Sequence, residues 1–401
     1  MEILTAGWVL PIDGAPLRDG RVAIRSGRVA WVGLAGDPGE PEAPVRRLGD
    51  GVLLPGLVNA HCHLELSHLA GTPPSSGAGF VAWVEGVVAS RGRHAEAEIA
   101  AAVDLAVTGL EAGGTVAIGD VSNTLAHLDR LRASSLSAVV FLELLAWDPA
   151  QASATLAWGE GLLRERAAAL RPGLELRLAA HAPHSVSPEL LQQLAERGGS
   201  ATLHLAESPE ETRFLAAGDG PWRAFLASRG LGQVAFSPSR MSPVRYADSL
   251  GVLHPRLVAA HAVQVDAADC GVLAERGVHV ALCQRSNASL GVGKADVPAL
   301  VAAGVRLALG SDSLASAPSL DVLDDAVLLQ RQFPALEPGA ILRMATRGGA
   351  EALGFPDLGT IAPGQRAALA YAKAPSPPRD PEAFLVSGEA RLGRVATREA
   401  R

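Results

Sequence analysis

Lysine is nearly missing from this 401-residue chain: Lys294 and Lys373 are the only two among 35 basic side chains, and all the others are arginine. An arginine-biased, alanine-rich genome accounts for the skew, yet the scarcity excludes any chemistry that needs a lysine elsewhere. Cysteine is also sparse. Cys62, Cys270 and Cys283 are too few and too scattered for a disulfide framework or a thiolate zinc site, which fits a reducing compartment. No segment reaches ~18 uncharged apolar residues, so no membrane span is expected. Met1 to Pro11 lacks the basic start and sustained apolar stretch of a secretion signal, and a soluble cytoplasmic protein is the expectation. Nor is there an excess of base. The 35 basic against 42 acidic residues leave −7, which argues against nucleic acid or an anionic membrane as the main partner.

What is present is apolar material. Hydrophobic residues make up 48% of the chain and charged ones 19%, enough to bury a large core and too little charge for disorder. The first fifty residues read as strands and turns, with punctuation at Asp13-Gly14 and Ser26-Gly27. From Gly51 the texture changes to eight short apolar runs, beginning at Val52 to Asn59 and ending at Val305 to Leu309, separated by helical patterns. Eight such units predict an α/β fold, a (β/α)8 TIM-like barrel over residues 55–354. The tail returns to strand texture through Gly359 to Ala372, so residues 1–54 and 355–401 are expected to form a small discontinuous β-sandwich domain.

In a barrel of this kind the chemistry sits at the C-terminal ends of the strands. The first run ends Asn59-Ala60-His61-Cys62-His63, and strand alternation puts His61 and His63 on one face, about 6.5–7 Å apart, with Cys62 turned away into packing. The fifth run ends at His204 with Glu207 beyond it, the sixth at His261, and the eighth at Gly310-Ser311-Asp312. His61, His63, His204 and Asp312 form a ligand set for Zn2+ or Fe2+ with an open position for water, and Glu207 and His261 remain beside it as proton-handling groups. Taken singly, a His-x-His pair is more often core or surface, and a lone aspartate after an apolar run is usually a helix cap. Their recurrence on four strand ends is what argues for a site. His181, ending the fourth run, is open to a substrate contact or a structural role. His184, His68, His94, His127, His254 and His279 are read as solvated or satisfied core residues.

These residues resemble those of the amidohydrolase superfamily, through Leu54-Pro55-Gly56-Leu57-Val58-Asn59-Ala60-His61-Cys62-His63, His204 with Glu207, His261, Ser286-Asn287 and Leu309-Gly310-Ser311-Asp312-Ser313. One branch of that superfamily uses two metals bridged by a carboxylated lysine on the fourth strand. No lysine lies between His63 and Lys294, so the resemblance implies the mononuclear deaminase branch. Within it, His63-Leu64-Glu65-Leu66-Ser67-His68, Phe80-Val81-Ala82-Trp83-Val84, Ser242-Pro243-Val244-Arg245-Tyr246, Leu250-Gly251-Val252-Leu253 and Cys283-Gln284-Arg285-Ser286-Asn287 are similar to aminodeoxyfutalosine deaminases of the alternative menaquinone route.

The resemblance implies hydrolysis of a 6-aminopurine nucleoside, aminodeoxyfutalosine giving deoxyfutalosine and ammonia. Glu207 would carry a water proton to the purine ring nitrogen, His261 would orient the water, and Asp312, besides ligating the metal, would take the remaining proton. Glu65, Trp83 and His181 would contact substrate. Arg285 would pair with a substrate carboxylate, balanced against a rim ion pair. The acidic residue by which adenosylhomocysteine-type relatives grip ribose has no clear counterpart in Ala89-Ser90-Arg91-Gly92, though Glu85 is near. Alternatives are deamination of adenosine, methylthioadenosine or adenosylhomocysteine, a guanine or pterin deaminase or triazine-type chlorohydrolase on the same site, and a non-catalytic barrel that only binds. A homodimer is the assembly such barrels often adopt, and nothing in the sequence marks an interface.

Overall fold

A computed structural model describes residues 1–71, 79–90 and 93–397. Arg91 and Gly92, in the stretch read for its missing acidic residue, lie outside the described residues, as do the last four residues of the small domain.

The strands Glu2–Val9, Leu17–Arg18, Arg21–Arg25, Arg28–Gly33, Val45–Pro55, Leu369–Ala372 and Leu392–Arg394 form one seven-stranded mixed sheet. Ser26 and Gly27 both have positive φ (51° and 70°), the backbone that a two-residue hairpin needs to match the twist of its strands. The two chain ends meet where Leu369 lies opposite Pro55 and Ala372 opposite Val52. Leu4, Val22, Ile24, Leu53, Ile361 and Leu369 are buried together in this domain.

The apolar run at Val52 to Asn59 is two elements rather than one strand. It ends the small-sheet strand at Pro55, turns through Gly56, and begins the first barrel strand, Leu57–Cys62. A Cβ on Gly56 would come within 2.2 Å of the Val116 side chain, so the handover between domains requires glycine there.

The remaining barrel strands are Thr115–Ser122, Ser137–Leu144, Leu174–Ala180, Ala201–Leu205, Leu257–His261, His279–Leu282 and Arg306–Leu309. Most are buried along nearly their whole length, as parallel strands covered on both faces must be, which is why they read as unbroken apolar runs. Strands one to four form one parallel sheet in sequence order and strands five to eight a second, so the ladder is not continuous around the barrel.

The two half-barrels meet near the C-terminal ends of their edge strands. His204 N–H donates to His181 O (2.9 Å) at one seam. At the other, Ser311 and Asp312 N–H both donate to His61 O (3.1 Å), beside a parallel bridge between Cys62 and Asp312. At the opposite, N-terminal end, Val58, Val116, Val139, Phe141, Leu353 and Phe355 fill the space between the strands and the Gly349–Leu353 helix. Burying a side chain such as Phe141 there stabilises the fold by roughly 1.5–3 kcal/mol. The C-terminal mouth is thus the polar end.

Candidate metal centre

Asn59, two residues before His61, fixes the end of the first strand. Its side-chain carbonyl accepts from His61 N–H (3.3 Å) and Ser311 N–H (3.2 Å), and its amide donates to Ser311 Oγ (2.7 Å). Strands one and eight are thereby locked in register where both deliver side chains to the mouth. Asp120, on the second strand, accepts from Leu64 N–H (2.8 Å) and so fixes the chain just after His63.

The imidazoles of His61, His63 and His204 converge, with ring centroids 4.9–5.2 Å apart. His63 Nε2 and His204 Nε2 are 3.2 Å apart, and Asp312 Oδ1 lies 3.6 Å from His63 Nε2 and 4.0 Å from His61 Nε2. His61 is fully buried, and neither of its ring nitrogens has a hydrogen-bond partner. Burial pulls His61 well below its usual range and His63 down to about 4, so both present neutral, lone-pair nitrogens. The two buried, unpartnered nitrogens of His61 are costly, and a cation beside them removes part of that cost. These residues fit a divalent metal.

His204 and Asp312 are oriented from behind. His204 Nδ1 faces His181 O (3.1 Å) and Glu143 Oε1 (3.5 Å), which turns Nε2 inward. Asp312 Oδ2 accepts from the hydroxyls of Ser286 and Ser316, leaving Oδ1 for the cage. Burial pushes the Asp312 carboxyl up, but His63, His261 and the Ser286 hydrogen bond outweigh it and hold Asp312 below the usual carboxylate range.

Glu207 and His261 stand beside these ligands, Glu207 Oε1 lying 3.6 Å from His261 Nε2. His261 Nδ1 pairs with Asn287 Oδ1 at 2.8 Å, which fixes the ring. Burial raises Glu207 well above the usual carboxylate range, with Asp312 and Glu211 adding to the rise and His204 opposing it. Ala206, His261, Ala262 and Asp312 all have positive φ, four of the nine such non-glycine residues described, so backbone strain gathers at this mouth.

The other expected site residues are more scattered. His181 lies next to the cage, its ring 4.9 Å from His204 and its Nδ1 paired with Ser185 Oγ. Trp83 packs on Phe80 and against Leu66, Leu69 and Ala315. Glu65 is occupied by its own chain: its carboxylate accepts from Ser122 Oγ (2.7 Å), Asn123 N–H (3.1 Å) and Thr124 Oγ1 (3.0 Å), holding the loop after the second strand. Burial raises Glu65, but these hydrogen bonds prevail and keep it below its ordinary value.

Arg285 requires a correction. Its guanidinium donates to Asp325 (2.9 Å), Ser319 Oγ (2.7 Å), Asp324 (3.2 Å) and the carbonyls of Ser319 and Asp321, so no fork is left for a substrate carboxylate. Asp325 is fully buried, and burial raises it to about 6 even against Arg285. Arg285→Ala is therefore expected to cost about 3–5 kcal/mol of stability by stranding Asp325, with KM unmoved in the molecules that fold. Urea unfolding and steady-state kinetics check the pair of effects, and a raised KM at wild-type stability would return Arg285 to the substrate.

Glu143, Ser316, Asp120 and Glu211 were not identified from the sequence. Only Glu211 had a local signal, the Ser208-Pro209-Glu210-Glu211 capping pattern. His127 is a buried core residue whose Nε2 pairs with Asp120 at 2.6 Å, while its Nδ1 has no partner. Burial alone would lower His127, but Asp120 outweighs it and raises its pKa. A raised folded-state value means that the pair's contribution is complete below the unfolded pKa of about 6.5 and is lost as pH climbs through the folded one. The stability gap between wild type and His127→Gln, measured by urea titration, should be widest near about pH 6 and narrow on the alkaline side. A gap independent of pH would rule out a protonated His127. Neither lysine approaches the cage: Lys294 Nζ sits over the Phe333 ring at 4.6 Å, and Lys373 follows the small-sheet strand Leu369–Ala372.

The pattern of the amidohydrolase family matches residues 52–390. The chain is 34% identical over 342 residues to an aminodeoxyfutalosine deaminase of Deinococcus radiodurans, covering 80% of this chain and 79% of that protein. Among solved structures it is similar to a zinc-bound adenosine deaminase from Xanthomonas campestris, with 26% identity and a TM-score of 0.79 over 98% of this chain and 89% of that one. The fold of Helicobacter pylori aminofutalosine deaminase in complex with methylthio-coformycin is also similar, with a TM-score of 0.86 at 24% identity, covering 99% of this chain and all of that one. The matched span contains every ligand position described above, and the chain belongs to the amidohydrolase family.

Proposed function

We propose that this protein is a mononuclear metal-dependent deaminase of a 6-aminopurine nucleoside, with aminodeoxyfutalosine as substrate and Zn2+ as the ion, Fe2+ being the other ion the donors suit. The observation that carries the reading is a buried carboxyl group, Glu207, beside a cage of three imidazoles and one carboxylate. Among the described residues neither lysine is a member of a candidate metal-binding group, which supports one metal rather than two bridged by a lysine. The likeness to the Deinococcus radiodurans enzyme supports the substrate.

An ion in the cage supplies Lewis acidity, which makes water a competent nucleophile near neutral pH. Glu207, its carboxyl raised well above the usual range by burial, donates to the purine ring nitrogen next to the carbon under attack and so makes that carbon electrophilic. Its carboxylate then accepts a proton from the attacking water. His261, held by Asn287, orients that water with Nε2. Asp312, ionised and with Oδ1 directed into the cage, takes the second proton and returns it to the departing amine, so that water and the nucleoside give the hypoxanthine analogue and ammonia.

The saturation of Arg285 favours a second reading, in which a nucleoside without a distal carboxylate, such as adenosine or methylthioadenosine, is preferred. Ammonia release from aminodeoxyfutalosine, adenosine, methylthioadenosine, adenosylhomocysteine and guanine separates the two. The highest kcat/KM is expected for aminodeoxyfutalosine. A preference for adenosine or methylthioadenosine would transfer the specificity to the second reading, and no release from any of the five would overturn the deaminase reading.

A further inference from the structure

We infer that Glu211 is a positioning residue for Glu207, an inference that rests on reading Glu207 as the proton carrier. Glu211 lies in the first turn of the Pro209–Ala217 helix, whose N-cap Ser208 directly follows Glu207. Ser208 Oγ accepts from Glu211 N–H (3.1 Å), the first half of a capping box. In the usual second half, the carboxylate three residues on returns to the N-cap N–H. Here it reaches further back. Glu211 Oε2 accepts from Glu207 N–H at 2.7 Å and Oε1 from Ala206 N–H at 3.2 Å.

The same short stretch is held from its other side. Ala206 stands at φ 53°, a left-handed conformation that alanine adopts at a cost. Its carbonyl accepts from Val263 N–H (2.9 Å) and Gln264 N–H (2.8 Å), just beyond His261. The turn that carries Glu207 is thus clamped between Glu211 and the segment that carries His261, so the two proton-handling groups share one frame.

A carboxylate is the side chain this clamp requires, because two adjacent N–H donors need two acceptor oxygens. Glutamine would turn an NH2 toward one of them. Glu211 is completely buried, His184 Nδ1 lies 3.8 Å from its Oε1, and the His184 ring packs at a tilt on Trp222, centroids 4.2 Å apart. Burying a carboxylate costs more than burying an apolar group of the same size, so packing alone does not account for it. The two hydrogen bonds to the Glu207 turn are what the charge secures. Released from them, Ala206 can relax and Glu207 can swing away from the ring nitrogen it must reach, and a shift of about 1 Å at a reacting group costs about 100-fold in rate.

The test uses full-length, zinc-loaded protein and whichever nucleoside of the panel is turned over fastest. Glu211→Gln is expected to lower kcat per folded molecule about 100-fold, with KM and zinc content at wild-type values. The double variant Glu207→Gln/Glu211→Gln should lose no more than Glu207→Gln alone, because Glu211 acts only through Glu207. Glu211→Asp keeps the buried charge but withdraws it by one methylene, and it should show the same kcat loss should the glutamine variant fail to fold. Wild-type kcat in the single variants, a lowered Tm with normal kcat per folded molecule, or fully additive losses in the double variant would each overturn the inference. Glu207→Gln separates the two levels. If it is active, the proton-carrier reading falls; if it is inactive while the Glu211 variants are active, only the role of Glu211 falls.

Discussion

Glu207→Gln is expected to lower kcat by about 1,000-fold while leaving the metal in place, within the 10²–10⁴ that a positioned general acid–base contributes. Glutamine matches glutamate in volume, so the 5% exposed pocket remains filled and the His61, His63, His204 and Asp312 cage is not disturbed. What disappears is the exchangeable proton. An amide can donate a hydrogen bond to the purine ring nitrogen, but it cannot deliver a proton there and then accept one from water. KM should therefore change little and kcat a great deal, the pattern of an interaction made in the transition state. Metal content by atomic absorption and turnover by ammonia release measure both halves, and near-normal turnover in metal-loaded protein would remove Glu207 from the mechanism.

His61→Ala has the other large expected effect, and it works through the cage itself. His61 is fully buried, its ring 5.0 Å from His63 and 4.9 Å from His204, with both nitrogens otherwise without a partner. Alanine leaves three donors around a cavity. Zinc content should fall from about one ion per chain to near zero after dialysis, the mononuclear expectation for a four-ligand site, with turnover at background. Stability supplies an independent reading. Zinc that binds only folded protein raises Tm by mass action, so added zinc should raise the Tm of wild type and of Glu207→Gln but not of His61→Ala. Full zinc retention by His61→Ala would sink the assignment of His61 as a ligand.

The barrel was legible because its strands are covered on both faces. Stretches such as Leu257–His261 and Ala201–Leu205 need no polar alternation, and their ends carried His261 and His204. The run at Val52 misled for the same reason: two buried strands joined by Gly56 look like one. Arg285 shows where local reading stops. Its partners Asp324 and Asp325 lie 39 and 40 residues away on the Val322–Gln332 helix, and no spacing rule reports such a contact. Glu143 and the loop-holding role of Glu65 were hidden likewise, since a carboxylate beside a ligand and one holding a loop look identical until the chain is folded. Glu211 was recoverable in part from its capping pattern, but which N–H its oxygens reach depends on the left-handed turn at Ala206, which no residue type announces.

The broken ladder has a consequence for cooperativity. His61 and His63 belong to one four-stranded half and His204 and Asp312 to the other, and both seams run past these same residues. An ion held by all four is a clasp across two otherwise separately hydrogen-bonded sheets, so its binding energy doubles as coupling energy between them. Loaded protein should melt as a single unit. Stripped of its ion, the barrel loses its clasp at the mouth, where the halves stay joined by a few backbone hydrogen bonds and by the Asn59 side chain on Ser311, while the apolar plug at the far end still holds them together. Loss of metal should then open the mouth first and spare the base, which acts as the hinge.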